Sequence, residues 1–177
     1  MYGETPLDLW ATIAEAAKIT EQDCFLDLGC GRGRLCFWTS RRFGCHSIGV
    51  DWVPTFIRRA RFLAWMLRVR NVQFLCTTLS RAPLHEATVI YLYTYHPEED
   101  LLDFSHVKSG CRVITVSEPL KGEGFSMSSV IRAKFPWGET EVYVNIYAVG
   151  DRVCCSSRNH AVRDSIQQGK PLSDFSL

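Results

Sequence analysis

The chain has 177 residues, of which 46% are hydrophobic and 22% are charged, and its formal net charge is +1. These values are typical of a single globular domain and exclude a disordered or collagen-like chain. No run of about 18 apolar residues is present, so the sequence predicts no membrane span. The opening stretch MYGETPLDLW has no basic residue and no apolar core, which argues against a secretory signal and predicts a cytoplasmic protein.

Arginine is concentrated in one part of this nearly neutral chain. Residues 32–70 contain nine arginines and a single acid, Asp51. This arginine-rich segment is typical of an ordinary solvated helix face, and the alternative is a basic surface that attracts an anionic partner.

The eight cysteines include no C-x-x-C pair, so their spacing predicts neither a zinc site nor a redox dithiol. Several lie inside apolar runs such as QFLCTTL and GCRVITV, where a free cysteine behaves as a small hydrophobic residue. We therefore expect buried thiols and no bound metal. The adjacent pair Cys154 and Cys155 fits neither pattern.

The predicted elements alternate between helix and strand along the chain. A first helix begins with Thr5 as its N-cap and Pro6 as its first residue. Pro54 opens a longer helix that continues through TFIRRARFLAWMLRVR to Arg70, and Pro97 opens a short one. The remaining predicted elements are strands at DCFLDL, HSIGVD, VQFL, TVIYLY and CRVITV, a helix at GRLCFWTSRRF and a loop at CTTLSRAPLHE.

The last part of the domain changes character. The segment SSVIRAKFPWGETEVYVNIYAV has two strand-like runs separated by PWGE, which predicts an antiparallel hairpin. The whole pattern predicts an α/β fold: a Rossmann-like, seven-stranded, mostly parallel sheet with helices on both faces and a C-terminal antiparallel hairpin. This domain is expected over residues 1–150, followed at 151–177 by a polar tail or small appended element.

The stretch FLDLGCGRGR places Asp27 and then Gly29, Gly31 and Gly33 at the end of the first strand. Ligands of open α/β sheets bind at the carboxyl ends of the strands, and glycine allows the backbone to approach them closely. A dinucleotide fingerprint would need glycine at the position of Arg34, and the G-K-[ST] of a P-loop is missing. The remaining pattern, D-x-G-x-G-x-G, is typical of enzymes that bind S-adenosylmethionine (SAM).

Asp51 ends the second strand, 18 residues after Gly33, which leaves room for one helix and one strand. Its carboxylate can accept hydrogen bonds from the two ribose hydroxyls of a nucleoside. Trp52 offers an apolar wall for the adenine. The predicted cofactor is therefore SAM.

LDLGCGRG followed by GVD resembles the class I SAM-dependent methyltransferases, over roughly residues 20–150. A narrower block, YGETPLDLWATIAEAAKITEQDCFLDLGCGRG, is similar to the non-SET histone-lysine methyltransferase family named for disruption of telomeric silencing. This resemblance implies that Glu4 and Thr5 reach over the bound SAM. It also implies that Tyr2 walls the channel near the methyl group.

The chain departs from that family after its third and fourth predicted strands. Where the family has a glycine–acid–aromatic triplet that holds the adenine, this chain has CTT, in which Thr77 can accept a weaker hydrogen bond. Where the family has an asparagine-led loop, this chain has YTYHP, with Tyr93 in the asparagine's place and Tyr95 as the retained aromatic. TEVYVNIY resembles the family's last strand, which makes Tyr143 the candidate for the aromatic at the acceptor channel.

Tyrosines 2, 93, 95 and 143 would wall a channel that desolvates an entering amine and lowers its pKa, and aromatic faces also attract a sulfonium. His96 is either a base for a hydroxyl acceptor or a helix N-cap. The sequence therefore predicts a SAM-dependent methyltransferase whose favoured acceptor is a protein lysine side chain. The alternatives are a small-molecule or RNA methyltransferase, and a SAM-binding module without catalysis.

Overall fold

The computed structural model describes residues 4–93, 102–120 and 122–148. Within these ranges no helix is both long enough and apolar enough to cross a bilayer. The α-helices of the described ranges are α1 (Leu7–Ala16), α2 (Arg34–Phe43) and α3 (Pro54–Met66). The strands are β1 (Cys24–Leu28), β2 (His46–Asp51), β3 (Val72–Cys76), β4 (Val89–Leu92), β5 (Cys111–Val116), β6 (Phe125–Phe135) and β7 (Gly138–Tyr147).

The seven strands form one sheet in the order β3-β2-β1-β4-β5-β7-β6. β1 pairs in parallel with both β2 and β4, while β7 runs antiparallel between β5 and β6. The chain therefore moves outward from β1 to β3 and then returns to β4 on the other side of β1. This reversal makes the gap between β1 and β4 the switch point of the sheet. The predicted Rossmann-like, mostly parallel sheet with its C-terminal hairpin is confirmed.

The two faces of the sheet are covered differently. On one face, side chains from all three α-helices pack into a single buried cluster, with Trp10 from α1, Leu35 from α2 and Ile57 from α3 among its members. On the other face the covering residues include Leu84, from the connection between β3 and β4, and Leu102, from the connection between β4 and β5. Within the described ranges these connections contain three-residue 3-10 helices at Leu79–Arg81, Leu84–Glu86 and Phe104–His106. The crossover from β3 to β4 therefore has no α-helix.

Two helix ends differ from the sequence prediction. Thr5 is not the N-cap of α1, because Pro6 occupies that position, and the Thr5 hydroxyl instead makes a 2.6 Å hydrogen bond with the hydroxyl of Tyr91. α3 stops at Met66 because Arg68 adopts a left-handed φ of 54° and the backbone closes with a bond from the Val69 amide to the Ala64 carbonyl. The helix predicted from Pro97 and the segment 151–177 lie outside the described residues.

A buried ion pair links α1 to the sheet at the edge opposite the carboxyl ends of β1 and β4. The Arg112 guanidinium donates to the Asp23 carboxylate and to the carbonyls of Ala17 and Lys18 just after α1. Burial opposes ionisation of Asp23, but hydrogen bonds from Thr88 and Thr20 and the Arg112 charge together hold the pKa of Asp23 below its usual value. The pair therefore fixes the position of α1 over β1 and β5.

The predicted burial of the cysteines holds for most of those that the structure describes. Cys30, Cys36, Cys45 and Cys111 are buried, Cys24 is half-buried, and Cys76 is exposed. The described residues contain no group of His, Cys, Asp and Glu side chains arranged to hold a metal ion. Cys154 and Cys155 lie outside the described ranges.

Replacing Trp10 with alanine should lower the free energy of unfolding by about 3–5 kcal/mol. Trp10 is fully buried, packs against Phe25 and Tyr91, and donates a 2.8 Å hydrogen bond from Nε1 to the Thr39 hydroxyl. Urea denaturation measures this loss. The matched control is Trp65→Ala, since Trp65 is 76% exposed and its removal should change the free energy of unfolding by less than about 0.5 kcal/mol. Equal losses in the two variants would contradict the assignment of Trp10 to the core.

Candidate functional site

The three glycines after β1 form a left-handed turn that only glycine adopts easily. Gly29, Gly31 and Gly33 have φ angles of 86°, 53° and 78°. A side chain at Gly33 would overlap the ring of Phe74, so packing also requires glycine there. At Gly29 an added Cβ would meet no atom within 4 Å, and this residue is exposed. The backbone at Gly29 is therefore open to a ligand from outside.

The Asp51 carboxylate holds the glycine turn in place. One oxygen accepts a 2.9 Å hydrogen bond from the Gly31 amide, and the other accepts a 2.8 Å hydrogen bond from the Val53 amide just before α3. Only 6% of Asp51 is exposed. A carboxylate has about four acceptor positions, so the two amides do not exhaust its capacity for ribose hydroxyls.

The other residues predicted to bind the nucleoside lie next to Asp51. The Thr77 amide donates a 3.2 Å hydrogen bond to the Asp51 carbonyl, which places the CTT segment beside the end of β2. Trp52 follows Asp51 directly and is 76% exposed, so its indole is accessible to a ligand. The structure thus brings Asp51, Trp52 and Thr77 together at the carboxyl edge of the sheet, where their roles in holding ribose and adenine stay predictions.

A pocket opens at the switch point between β1 and β4. Its walls come from the ends of these two strands, from the glycine turn, from the start of α2 and from the segment before α1. Glu4, Thr5, Asp27, Gly29, Cys30, Arg32, Arg34, Leu35, Tyr91 and Tyr93 line it. Five of these residues were predicted as site residues from the sequence: Glu4, Thr5, Asp27, Gly29 and Tyr93. Asp51 does not line the pocket, but its carboxylate bonds to the glycine turn that does.

Asp27 at the floor of this pocket is a buried acid. Burial raises the pKa of Asp27 to about 7, opposed by a long hydrogen bond from the Cys36 thiol and assisted by the nearby charge of Asp51. Only 4% of the residue is exposed. Asp27 therefore ionises near neutral pH, and a cationic group entering the pocket would favour its charged form.

Glu4 and Arg34 make an ion pair at the mouth of the pocket, with 2.7 Å between Glu4 Oε2 and Arg34 Nη1. Arg34 is the first residue of α2, where a positive charge is unfavourable because the helix dipole is also positive there. Both side chains are substantially exposed, so the pair adds little to stability. Its effect is positional: it joins the segment before α1 to the start of α2 beside the glycine turn, and the role predicted for Glu4 over bound SAM stays a prediction.

Tyr91 on the pocket wall and Trp137, which contacts the wall residue Tyr93, escaped the sequence prediction because both depend on tertiary contacts. Tyr91 is buried on β4 and bonds to Thr5, and burial raises its pKa. Trp137, at the tip of the β6–β7 hairpin, donates from Nε1 to the hydroxyl of Tyr93. Phe135 stacks on Tyr93 with 5.5 Å between ring centroids. Tyr93, Phe135 and Trp137 form an aromatic cluster, whose only sequence signal is the PWG turn between two strands.

Of the other predicted catalytic residues, the structure describes Tyr143, which does not join this cluster. Tyr143 does not line the pocket, and its hydroxyl donates a 2.7 Å hydrogen bond to Glu141. Its neighbours Val142 and Val144 point into the cluster that contains Tyr91, so strand alternation places Tyr143 on the opposite face of the sheet. Tyr2, Tyr95 and His96 lie outside the described residues.

Comparison with known proteins identifies the kind of domain that carries this pocket. Residues 25–107 match a family model described as a methyltransferase domain. The fold also matches the crystal structure of an RNA methyltransferase from Salinibacter ruber in complex with S-adenosyl-L-homocysteine, with 25% identity, a TM-score of 0.69 and coverage of 84% of this chain and 97% of that chain. Residues 25–107 therefore form a SAM-dependent methyltransferase domain.

Two further methyltransferase structures share the fold at lower identity. One is the putative methyltransferase yhhF from Escherichia coli, with 10% identity, a TM-score of 0.68 and coverage of 85% and 91% of the two chains. The other is a SAM-dependent methyltransferase from Aquifex aeolicus, with 18% identity, a TM-score of 0.59 and coverage of 78% and 89%. No protein of curated function matches the chain in sequence. The narrower likeness to the non-SET histone-lysine family finds no support among these matches.

The geometry of the methyltransferase pocket fits the cofactor of such a domain. The open backbone at Gly29 leaves space for a ligand against the turn, and Asp51 offers a fixed carboxylate at the end of the neighbouring strand. Aromatic faces at Trp52 and Tyr93 provide surfaces for an adenine and for a cationic sulfonium. SAM, the cofactor predicted from D-x-G-x-G-x-G, matches all three features.

Replacing Asp51 with asparagine should weaken SAM binding more than tenfold, because the variant loses the charge that strengthens hydrogen bonds from ribose hydroxyls. The amide still has one oxygen that can accept from a backbone amide, so the turn is disturbed less than by alanine. Isothermal titration calorimetry with SAM measures the affinity. Asp8→Asn, which removes an exposed acid from α1, is the matched control and should bind SAM like the wild type. Unchanged affinity in Asp51→Asn would show that the ribose is held elsewhere.

The raised pKa of Asp27 predicts a specific pH dependence of stability. The unfolded chain ionises this carboxyl near pH 4 and the folded chain near pH 7, so folding is progressively disfavoured as pH rises between these values and levels off above pH 7. Asp27→Asn lacks this titration. Its free energy of unfolding relative to the wild type should rise with pH by up to about 1.4 kcal/mol per unit between pH 5 and pH 7. Urea denaturation at several pH values measures the difference, and parallel curves would contradict the raised pKa.

Proposed function

We propose that this SAM-dependent methyltransferase transfers methyl groups to RNA. The observation that carries the proposal is the charge around its pocket. Arg32 and Arg34 line the pocket, and residues 52–85, which follow the buried Asp51, contain six arginines and no acid. Such a surface attracts a phosphate backbone and repels a protonated lysine. The likeness to the Salinibacter ruber RNA methyltransferase, at 25% identity over 97% of that chain, adds support.

The residues around the pocket have distinct parts in this reaction. When bound, SAM supplies an electrophilic methyl group, and the acceptor that gains it loses a proton to water. Asp51 and the glycine turn hold the nucleoside end of the cofactor. The reacting atoms therefore meet in a fixed orientation, which lowers the barrier to methyl transfer. The aromatic cluster of Tyr93, Phe135 and Trp137 offers a face on which an unpaired base stacks.

A protein lysine side chain is the second candidate acceptor, favoured by one observation. Glu4 and Thr5 both contact the pocket, as the similarity to the non-SET histone-lysine family implies for these two residues. In this case Glu4 would attract the lysine ammonium, and desolvation beside Tyr93 would lower its pKa toward the neutral, reactive form. The arginines on either side of Glu4 oppose the approach of such a cation, which is why RNA is the first choice.

Transfer of tritium from labelled SAM into a cell lysate separates the two acceptors. If RNA is the acceptor, the label incorporated by the purified enzyme disappears on treatment with ribonuclease and survives protease. Label that protease alone removes would overturn the proposal in favour of a protein acceptor. Label in neither polymer would overturn both and leave a small molecule or a non-catalytic SAM-binding module. Asp51→Asn is the control for transfer through this pocket, and it should incorporate less than a tenth of the wild-type label at limiting SAM.

A further inference from the structure

The outward face of α3 exposes large apolar side chains that the pocket does not use. Trp65 is 76% exposed and Phe62 is 60% exposed, and their ring centroids are 5.9 Å apart. Met66 and Leu67 are more than half exposed beside them. Large apolar side chains scattered singly over a surface need no explanation, but an adjacent group of four indicates a binding surface.

Arginines are interleaved with these aromatic side chains. Arg58 precedes Phe62 by four residues and Trp65 by seven, so all three lie along one side of the helix, and Arg59 lies beside them. Both arginines are exposed. Arg61 is different, because its guanidinium donates to the Phe74 carbonyl and so belongs to the fold. Residues 52–85 contain six arginines and no acid, so α3 and the residues that follow it up to position 85 carry no negative side chain.

This mixture of arginines and aromatic rings argues for a nucleic acid as the occupant. A second copy of the chain docking through the same face would bring arginines against arginines. A helix lying in a membrane surface separates its apolar face from its cations, whereas here Arg58 stands between Trp65 and Phe62 around the helix. Aromatic side chains on which bases stack, with arginines beside them for the phosphates, are the combination that binds single strands.

We propose that the outward face of α3, formed by Arg58, Arg59, Phe62, Trp65 and Met66, binds single-stranded RNA. This inference rests on the proposed function and names the surface that docks its acceptor. The face leads to the pocket, because the start of α3 lies beside Trp52 and beside Phe56, whose ring is 6.0 Å from the guanidinium carbon of Arg32. From Pro54 to Trp65 the helix rises about 16 Å. A strand stacked on Trp65 and Phe62 would therefore continue along α3 to the arginines of the pocket.

Fluorescence anisotropy with a fluorescein-labelled 12-nucleotide oligouridine tests the proposal on the full chain. Trp65→Ala and Phe62→Ala should each raise the Kd for this RNA by about tenfold, because each removes one stacking surface. The double variant Arg58→Gln/Arg59→Gln should also lower the slope of log K against log salt by one to two. Its matched control is Arg41→Gln/Arg42→Gln, which removes the same charge from the exposed end of α2 and should change the Kd less than twofold. Isothermal titration with SAM verifies that each variant keeps its pocket.

Each of the other outcomes identifies a different occupant. Wild-type affinity for the RNA in the Trp65→Ala and Phe62→Ala variants overturns the proposal. Binding to phosphatidylcholine–phosphatidylglycerol vesicles that Trp65→Ala abolishes, with RNA binding unchanged, assigns the face to a membrane surface. A dimer in light scattering that Trp65→Ala dissociates, again with RNA binding unchanged, assigns it to self-association.

The same variants separate this inference from the proposed function. If the wild type labels RNA with tritium and the α3 variants do so with an unchanged KM for RNA, the proposed docking surface is wrong and the proposed acceptor is right. If the α3 variants lose RNA binding while ribonuclease removes no tritium from the wild-type reaction, the docking surface is right and the proposed acceptor is wrong.

Discussion

The site of this methyltransferase domain depends on one carboxylate. Asp51 ends β2 and accepts hydrogen bonds from the amides of Gly31 and Val53, which lie in the glycine turn and just before α3. A strand, a turn and a helix therefore share one buried negative charge, and their relative positions are set before any ligand arrives. Hydrogen bonds to a charged acceptor are among the stronger ones in proteins, so the turn is held in shape despite its three glycines. This preorganisation is what the pocket at the switch point requires.

The pocket combines this fixed carboxylate with two opposing electrostatic features. Asp27 lies buried at its floor with a raised pKa, and arginines line its mouth. A cofactor that carries both a positive sulfonium and a negative carboxylate, as SAM does, matches such an arrangement. The arginines beyond the mouth then act on the second substrate, because they continue onto α3 without an intervening acid. Cofactor binding and acceptor choice are thus governed by neighbouring but separate charges.

The sequence predicted those parts of the fold that depend on local signals. Apolar runs predicted all seven strands, and α2 lies where GRLCFWTSRRF predicted a helix. The prediction was wrong where a distant residue decides the outcome. Thr5 bonds to Tyr91 rather than capping α1, and α3 ends early in a turn at Arg68, a residue with no intrinsic preference for left-handed backbone. The role predicted for Tyr143 and the place of Trp137 in the aromatic cluster both depend on which face of the β6–β7 hairpin meets the pocket. Local periodicity does not specify that face.

Because the two faces of the sheet are covered differently, they differ in their resistance to local unfolding. α1, α2 and α3 brace the side on which the pocket lies, each with several consecutive turns of backbone bonding. Within residues 77–88 and 102–110, the opposite side is covered by single turns at Leu79–Arg81, Leu84–Glu86 and Phe104–His106, each of which opens by breaking very few such bonds. Gentle warming would accordingly loosen the rear of the sheet first, while the catalytic side kept its shape. Substitutions in that rear layer could therefore adjust thermal stability to a new growth temperature without changing the pocket.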